Sequence, residues 1–186
     1  MLHQISRAWA KAELFAAAVL AGAVTLLILL NVITRSARHA LYWVDEAAIY
    51  AMVAMTFLAA SAAIQRRETI AITFLPDGLG GRAKLAVLIF VDLMVLLCAA
   101  ALIWFSWIWF QPLAILRTGF DAAAFQGESF NFVYAERTTT LGIQKFWFWL
   151  IVPVFAFGMT LHGLSNLICT LTGHAQADRQ ASGIDA

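Results

Sequence analysis

The sequence predicts an all-α integral membrane protein with four transmembrane helices. Of its 186 residues, 62% are hydrophobic and only 12% are charged, and the mean hydropathy is +0.82. Soluble domains carry about a quarter charged residues, so composition alone places the chain in a membrane. Four apolar runs have the ~20 residues that a membrane-spanning helix needs. They cover residues 14–34, 47–65, 86–111 and 146–171.

These runs are predicted to be helices because backbone groups in lipid must satisfy their own hydrogen bonds. They are also too long for the strands of a membrane barrel. The first run holds no charged residue and exceeds the ~7–15 apolar residues of a cleaved signal peptide, so we expect an uncleaved anchor. A short amphipathic segment with Arg7, Trp9 and Lys11 precedes it.

A short hairpin joins the first and second runs. Arg35 and Arg38 follow the first helix, whereas Asp45 and Glu46 precede the second. Each charge suits the dipole of its helix, an effect worth ~0.3–1 kcal/mol at an exposed helix end. Trp43 fits the aromatic belt of a membrane surface. Adjacent helical residues point about 100° apart, so the two acids are not a chelating pair, and we expect them to lock the two helices or bind a partner.

The second connection begins with Arg66 and Arg67 and has too few apolar residues to cross the bilayer. A Pro76-Asp77-Gly78 turn signal follows, so we expect a short interfacial segment between the second and third helices. The third run contains Asp92, which is the only acid inside the four predicted spans.

The third connection, about residues 117–145, is long and rich in aromatic residues. A loop of this length is usually functional or flexible. Its aromatic side chains indicate packing against the bundle or a partner protein. The candidates for a docking surface are Phe120, Phe125, Phe130 and Tyr134.

The basic residues predict that both chain termini are cytoplasmic. Arg7 and Lys11 lie near the N-terminus, and the short second connection is rich in arginine and lysine. Basic residues close to span ends count most in setting orientation. The prediction is therefore one four-helix domain over residues 1–175, with a polar cytoplasmic tail over 176–186.

Polar residues inside the spans leave alternatives open. Asp92 either couples ions or pairs structurally with a basic residue, and we favour the structural role because it lies near Lys84 and the membrane surface. His162 either ligates a metal or haem, or makes a hydrogen bond to a neighbouring helix. We favour the hydrogen bond because the spans contain no second histidine. Pro153, in the same run, is a candidate kink.

The alternatives are therefore a membrane enzyme or electron-carrier subunit built on His162 and Asp92, and a small autonomous transporter that uses Asp92.

The sequence has no Walker loop, nucleophile elbow or metalloprotease helix. Cys98 and Cys169 form no C-x-x-C motif, so a thiol redox site or covalent haem is not indicated. The net charge of +1 does not indicate nucleic-acid binding, which usually requires a strongly basic surface. The predicted spans contain few polar residues. This favours an accessory or scaffold subunit that is not an enzyme and holds no cofactor.

The first hairpin and second helix carry recognisable motifs. Asn31-x-x-x-Arg35 is followed by Trp43-Val44-Asp45-Glu46, and then by an Ala-rich helix that ends in Arg66-Arg67. Together they resemble the small, DctQ-type membrane subunit of TRAP (tripartite ATP-independent periplasmic) transporters. Thr140-Leu141-Gly142-Ile143, before a Trp-rich last span, agrees with this resemblance, which covers about residues 14–172. After the basic pair the chain departs from the family, because Glu68 and Thr69 stand where a glycine and a histidine are often found.

The resemblance implies a four-helix subunit of the bacterial inner membrane that assembles with a large membrane subunit. That large subunit would carry substrate and sodium in an elevator-like motion. A periplasmic binding protein would deliver the substrate, often an organic acid. The small subunit would be a static scaffold among membrane lipids, with no substrate or sodium site of its own.

Overall fold

The computed structural model describes residues 1–67 and 81–172, and those ranges contain seven helices. In chain order they are α1 (Leu2–Ser36), α2 (Tyr42–Arg66), α3 (Gly81–Phe110), α4 (Pro112–Arg117), α5 (Ala122–Ser129), α6 (Phe146–Trp149) and α7 (Ile151–Leu171). Four segments are long and apolar enough to cross a membrane: Leu2–Ser36, Tyr42–Arg66, Arg82–Arg117 and Phe146–Leu171. The predicted all-α membrane fold with four spanning helices is therefore confirmed.

Two parts of the prediction fall outside the described residues. They are the interfacial segment between the second and third spans, and the polar tail over 176–186. The side of the membrane on which the termini lie stays a prediction.

Helix α1 is longer than a bilayer requires. Its 35 residues correspond to ~52 Å at 1.5 Å per residue, whereas the hydrocarbon core is ~30 Å thick. The predicted amphipathic segment around Trp9 is the first part of this same helix. Its buried side chains repeat at intervals of four, three and four residues along one face, a spacing typical of a packed helix stripe. They are Ser6, Ala10, Glu13 and Ala17.

Helix α3 ends where proline requires it to end. Gln111 adopts a left-handed conformation with φ 42° and ψ 57°, and Pro112 begins α4. The proline ring disfavours helical backbone at the preceding residue, so the helix breaks there. The chain then turns from the third span into the long connection.

The fourth span is interrupted near its start. Helix α6 ends at Trp149 and α7 begins at Ile151. Pro153 has no N–H to donate to the carbonyl of Trp149, and its ring crowds that carbonyl, which accounts for the interruption at Leu150. Helix α7 then packs against α1, α2 and α3, so it is the centre of the bundle.

A small hydrophobic core joins the long connection to the end of the third span. Phe110 of α3, Ile115 of α4, and Phe125 and Val133 of the connection are buried together, and partly buried aromatic residues of the fourth span pack against them. Helix α5 is capped by Asp121, whose side chain accepts hydrogen bonds from the backbone of residues 123 and 124. The connection is therefore a folded element that packs on one end of α3 and α6.

Candidate functional site

The two acidic residues at the start of α2, Asp45 and Glu46, contact different parts of the chain. Asp45 Oδ2 lies 2.6 Å from Arg35 Nη2, and Asn31 Nδ2 donates to Asp45 Oδ1. Arg35 Nε donates in turn to Asn31 Oδ1 at 2.9 Å. These contacts close a ring of three side chains that joins the end of α1 to the start of α2.

Glu46 points to a different part of the chain. Its carboxylate accepts hydrogen bonds from the backbone N–H groups of residues 139, 140 and 141, at 2.9, 2.7 and 3.1 Å. The Thr140 hydroxyl also donates to it, at 2.5 Å. Hydrogen bonds to an ionised acceptor are roughly twice as strong as neutral ones. Glu46 therefore ties the turn before the fourth span to the beginning of the second.

Two further residues of the first hairpin make less contact. Arg38 has φ 60°, a left-handed conformation, and its backbone N–H donates to the carbonyl of Arg35 at 3.1 Å. The Trp43 side chain is 41% exposed. Both residues are exposed on the surface of the hairpin.

Asp92 is buried and paired with Arg67. The Arg67 guanidinium lies 2.7 Å from Asp92 Oδ2 and donates to Thr170 Oγ1 at 2.7 Å and to the Asn166 carbonyl at 3.0 Å. Arg67 can reach these groups because it caps α2 in a left-handed conformation with φ 54°. The contact joins α2, α3 and α7. Arg66, the other member of the basic pair, is the last residue of α2.

His162 is fully buried and bonded to α1 through both ring nitrogens. Ser6 Oγ lies 2.8 Å from Nδ1, and Glu13 Oε2 lies 3.0 Å from Nε2. Trp9 Nε1 donates to the other carboxylate oxygen of Glu13 at 2.8 Å. A metal or haem ligand needs a free ring nitrogen, and here both already have partners.

Glu13 was not among the residues predicted from the sequence. Asp92 was predicted to be the only acid inside a span, but Glu13 lies in α1 and is 3% exposed. The error came from beginning the span at residue 14, directly after this acid. The available signal was the spacing of Trp9 and Glu13, which are four residues apart and so share one helix face.

Gly158 makes room for this contact. A β-carbon at this position would lie 2.4 Å from Ser61 Oγ, 2.5 Å from Glu13 Oε1 and 3.2 Å from Trp9 Nε1. Real β-carbons do not approach other atoms so closely. The absence of a side chain at Gly158 therefore lets α1, α2 and α7 meet.

The four aromatic residues predicted to dock a partner separate into two groups. Phe120 and Phe130 are 71% and 83% exposed, and both have left-handed backbones. In contrast, Phe125 is 1% exposed, and Tyr134 donates through its hydroxyl to the Phe110 carbonyl at 2.6 Å. Burial raises the pKa of the Tyr134 phenol. Phe125 and Tyr134 therefore belong to the hydrophobic core described above, and of the four predicted residues Phe120 and Phe130 are the exposed ones.

Within residues 1–67 and 81–172, no three histidine, cysteine or acidic side chains cluster as metal ligands. Cys98 and Cys169 are free thiols. Several polar side chains of the described spans contact one another and join α1, α2, α3 and α7.

Comparison with known proteins identifies the type of molecule. The family model for the DctQ component of tripartite ATP-independent periplasmic transporters matches residues 24–173. No curated protein matches the chain.

Proposed function

Because the chain belongs to the DctQ family of TRAP transporter components, we propose that it is the scaffold subunit of a sodium-coupled, binding-protein-dependent solute transporter. The family is a transporter component and not an enzyme family. Its members work in a tripartite complex with a large membrane subunit and a periplasmic binding protein. The family match is the observation that carries the proposal.

The internal contacts support a static role for this subunit. Asp45, Glu46 and Asp92 each engage groups of another helix or turn, so these acids are occupied within the chain. A coupling ion needs a vacant set of oxygen ligands, and these carboxylates do not offer one. We therefore place the substrate and sodium sites in the large subunit, with an organic acid as the proposed substrate.

The exposed apolar faces of α1 and α3 are the surfaces proposed to meet the large subunit and membrane lipids. Leu26, Val32 and Ile33 of α1 are 68%, 59% and 64% exposed, and Trp104 and Phe105 of α3 are 63% and 64% exposed. Apolar surface of this kind is covered in a bilayer by lipid tails or by another membrane protein. The proposed setting is the bacterial inner membrane, with both termini in the cytoplasm.

The long connection is the proposed contact for the periplasmic binding protein. Phe120 and Phe130 are exposed and lie just outside the two ends of α5. Phe125 lies within the helix and is buried in the hydrophobic core. Exposed aromatic residues on a rigid support are typical of protein-binding surfaces. The contact between Glu46 and residues 139–141 would keep this surface in place relative to α2.

Co-expression with the large membrane subunit tests the proposal. We expect the two membrane subunits to purify together in stoichiometric amounts, and we expect sodium-driven uptake in proteoliposomes to require both of them and the binding protein. Undiminished transport by the large subunit and binding protein alone would refute the scaffold role. A haem absorption band or stoichiometric metal in the purified chain would instead favour the electron-carrier alternative.

A further inference from the structure

Helix α4 has an apolar face that the rest of the chain leaves uncovered. Leu113 and Leu116 are 55% and 54% exposed, and because they are three residues apart they lie on the same side of the helix. Ile115, between them, is 6% exposed and packs in the core that joins the connection to α3. Helix α4 therefore has one apolar face turned into the protein and another turned out.

Two ion pairs mark the ends of the membrane-spanning part of α2. Asp45 pairs with Arg35 at one end, and Arg67, which caps the other end, pairs with Asp92 of α3. From Asp45 to Arg67 the helix rises ~33 Å at 1.5 Å per residue, close to the ~30 Å thickness of the hydrocarbon core. Because ionised groups are costly at the bilayer centre, the two pairs lie near the two membrane surfaces.

The same scale gives the depth of α4. Helix α3 contains Asp92 near the first surface, and from there to its end at Phe110 it rises ~27 Å. The connection is folded onto this end, because Asn131 and Tyr134 donate to the carbonyls of the last two residues of α3 at 2.7 and 2.6 Å. Helix α4 begins two residues after α3 ends, so it lies where the hydrocarbon meets the lipid headgroups.

The residues on either side of α4 suit this depth. Trp104 and Trp107, in the last turns of α3, are 63% and 52% exposed, and tryptophan is enriched at membrane–water interfaces. Arg117 ends α4 and is exposed. A long arginine side chain keeps its charge among headgroups while its neighbours contact apolar surface, so Arg117 complements the negative charge of lipid phosphates.

We propose that α4 lies along the lipid surface at this end of the bundle, with Leu113 and Leu116 in the boundary between headgroups and acyl chains and Arg117 at the phosphates. Lipid is the occupant because this face continues the exposed aromatic surface of α3 at the depth of the headgroups. The contact fixes the height of the connection above the bilayer, and so the position of Phe120 and Phe130. It depends on the insertion of α3 in a membrane and not on any partner subunit.

The first test measures the depth of α4 by electron paramagnetic resonance of the full-length chain in lipid nanodiscs. In a background with Cys98→Ala and Cys169→Ala, which removes both cysteines, a nitroxide is attached to Leu113→Cys or Leu116→Cys. Collisions with oxygen report lipid, and collisions with a water-soluble nickel chelate report solvent. We expect the ratio of oxygen to nickel collisions to be severalfold higher than for the control Glu128→Cys, on the exposed side of α5.

Two results of this test would overturn the proposal. A ratio equal to that of the Glu128→Cys control would show that water covers the face. Loss of both kinds of collision when the large subunit is added would show that a protein covers it instead. An oxygen-rich signal that persists in the assembled complex supports the lipid contact.

The second test is hydrogen exchange of the backbone amides of residues 114–118 in nanodiscs. Leu113→Gln with Leu116→Gln keeps helix propensity nearly constant, and both side chains are exposed within the chain, so a change in exchange reports the lipid contact. We expect a severalfold increase, whereas the control Ala123→Gln with Ala124→Gln, on exposed positions of α5, should leave these amides unchanged. Equal exchange in the leucine variant and the wild type would contradict the proposal. Neither test measures transport, so their failure would leave the scaffold role standing.

Discussion

Glu46 of α2 accepts hydrogen bonds from both the backbone N–H and the hydroxyl of Thr140, a residue 94 positions later in the chain. Asp45, its immediate neighbour, instead bonds to Arg35 at the end of α1. Neighbouring helical residues diverge by about 100°, so one acidic pair can join three segments of the chain. The start of α2 is thus the point at which α1, α2 and the long connection are held together.

Replacing Glu46 with glutamine should loosen the turn at residues 139–141. A neutral amide is a weaker acceptor than a carboxylate. Its NH₂ group would also face the N–H and hydroxyl donors of this turn, which need an acceptor. We expect hydrogen exchange of these three backbone amides to rise severalfold while α1 stays protected. Asp45→Asn is the matched control, because it should loosen the α1–α2 hairpin without affecting the turn. The interpretation would fail if both variants loosened the same segment.

Removing one member of the Arg67–Asp92 pair should destabilise the bundle strongly. Asp92→Asn leaves a buried guanidinium without its counter-charge, a loss worth about 3–5 kcal/mol in comparable buried pairs. The double variant Arg67→Met, Asp92→Leu should recover most of this loss, because it removes both charges. Thermal unfolding in lipid nanodiscs measures the effect. If Asp92→Asn abolished transport with unchanged stability and assembly, Asp92 would be an ion-coupling residue.

Gly158→Ala should destabilise the packing of α1 on α7. The new β-carbon would lie within 2.5 Å of Ser61 Oγ and Glu13 Oε1, and overpacking of this kind costs about 1–3 kcal/mol. Gly22→Ala in α1 is the control, because a β-carbon there meets nothing within 4 Å. That control should be neutral or slightly stabilising, since alanine favours helix over glycine. Adding Ser61→Gly to Gly158→Ala should restore part of the stability, and no restoration would argue against this steric explanation.

Phe120→Ser and Phe130→Ser together should weaken capture of the binding protein without unfolding the connection. Both rings are exposed, so their loss removes no core contact. Truncating aromatic anchors at the centre of an interface commonly costs 2 kcal/mol or more, about thirtyfold in affinity. Surface plasmon resonance on the assembled membrane subunits measures the change. Phe125→Leu, which trims a buried ring and keeps both exposed rings, should leave affinity largely intact, and unchanged affinity in the double variant would exclude this surface.

The spans could be predicted from the sequence because the bilayer imposes one rule on every segment. A run of ~20 apolar residues must be helical and must cross, wherever its neighbours lie. The family resemblance was also visible in local motifs such as Asn31-x-x-x-Arg35, and the family match confirms it. Both features depend on residues that are close together in the chain.

The partners of the polar groups could not be predicted in this way. Glu13 and His162 are 149 positions apart, and nothing in the local sequence of either residue specifies the other. Likewise, Phe125 and Phe130 belong to the same aromatic loop, yet one is buried and the other is 83% exposed. Hydropathy alone determined that four helices cross a membrane. Only the packing of α7 against α1, α2 and α3 decided which polar side chains meet, because those contacts depend on helix rotation and on the space left by residues such as Gly158.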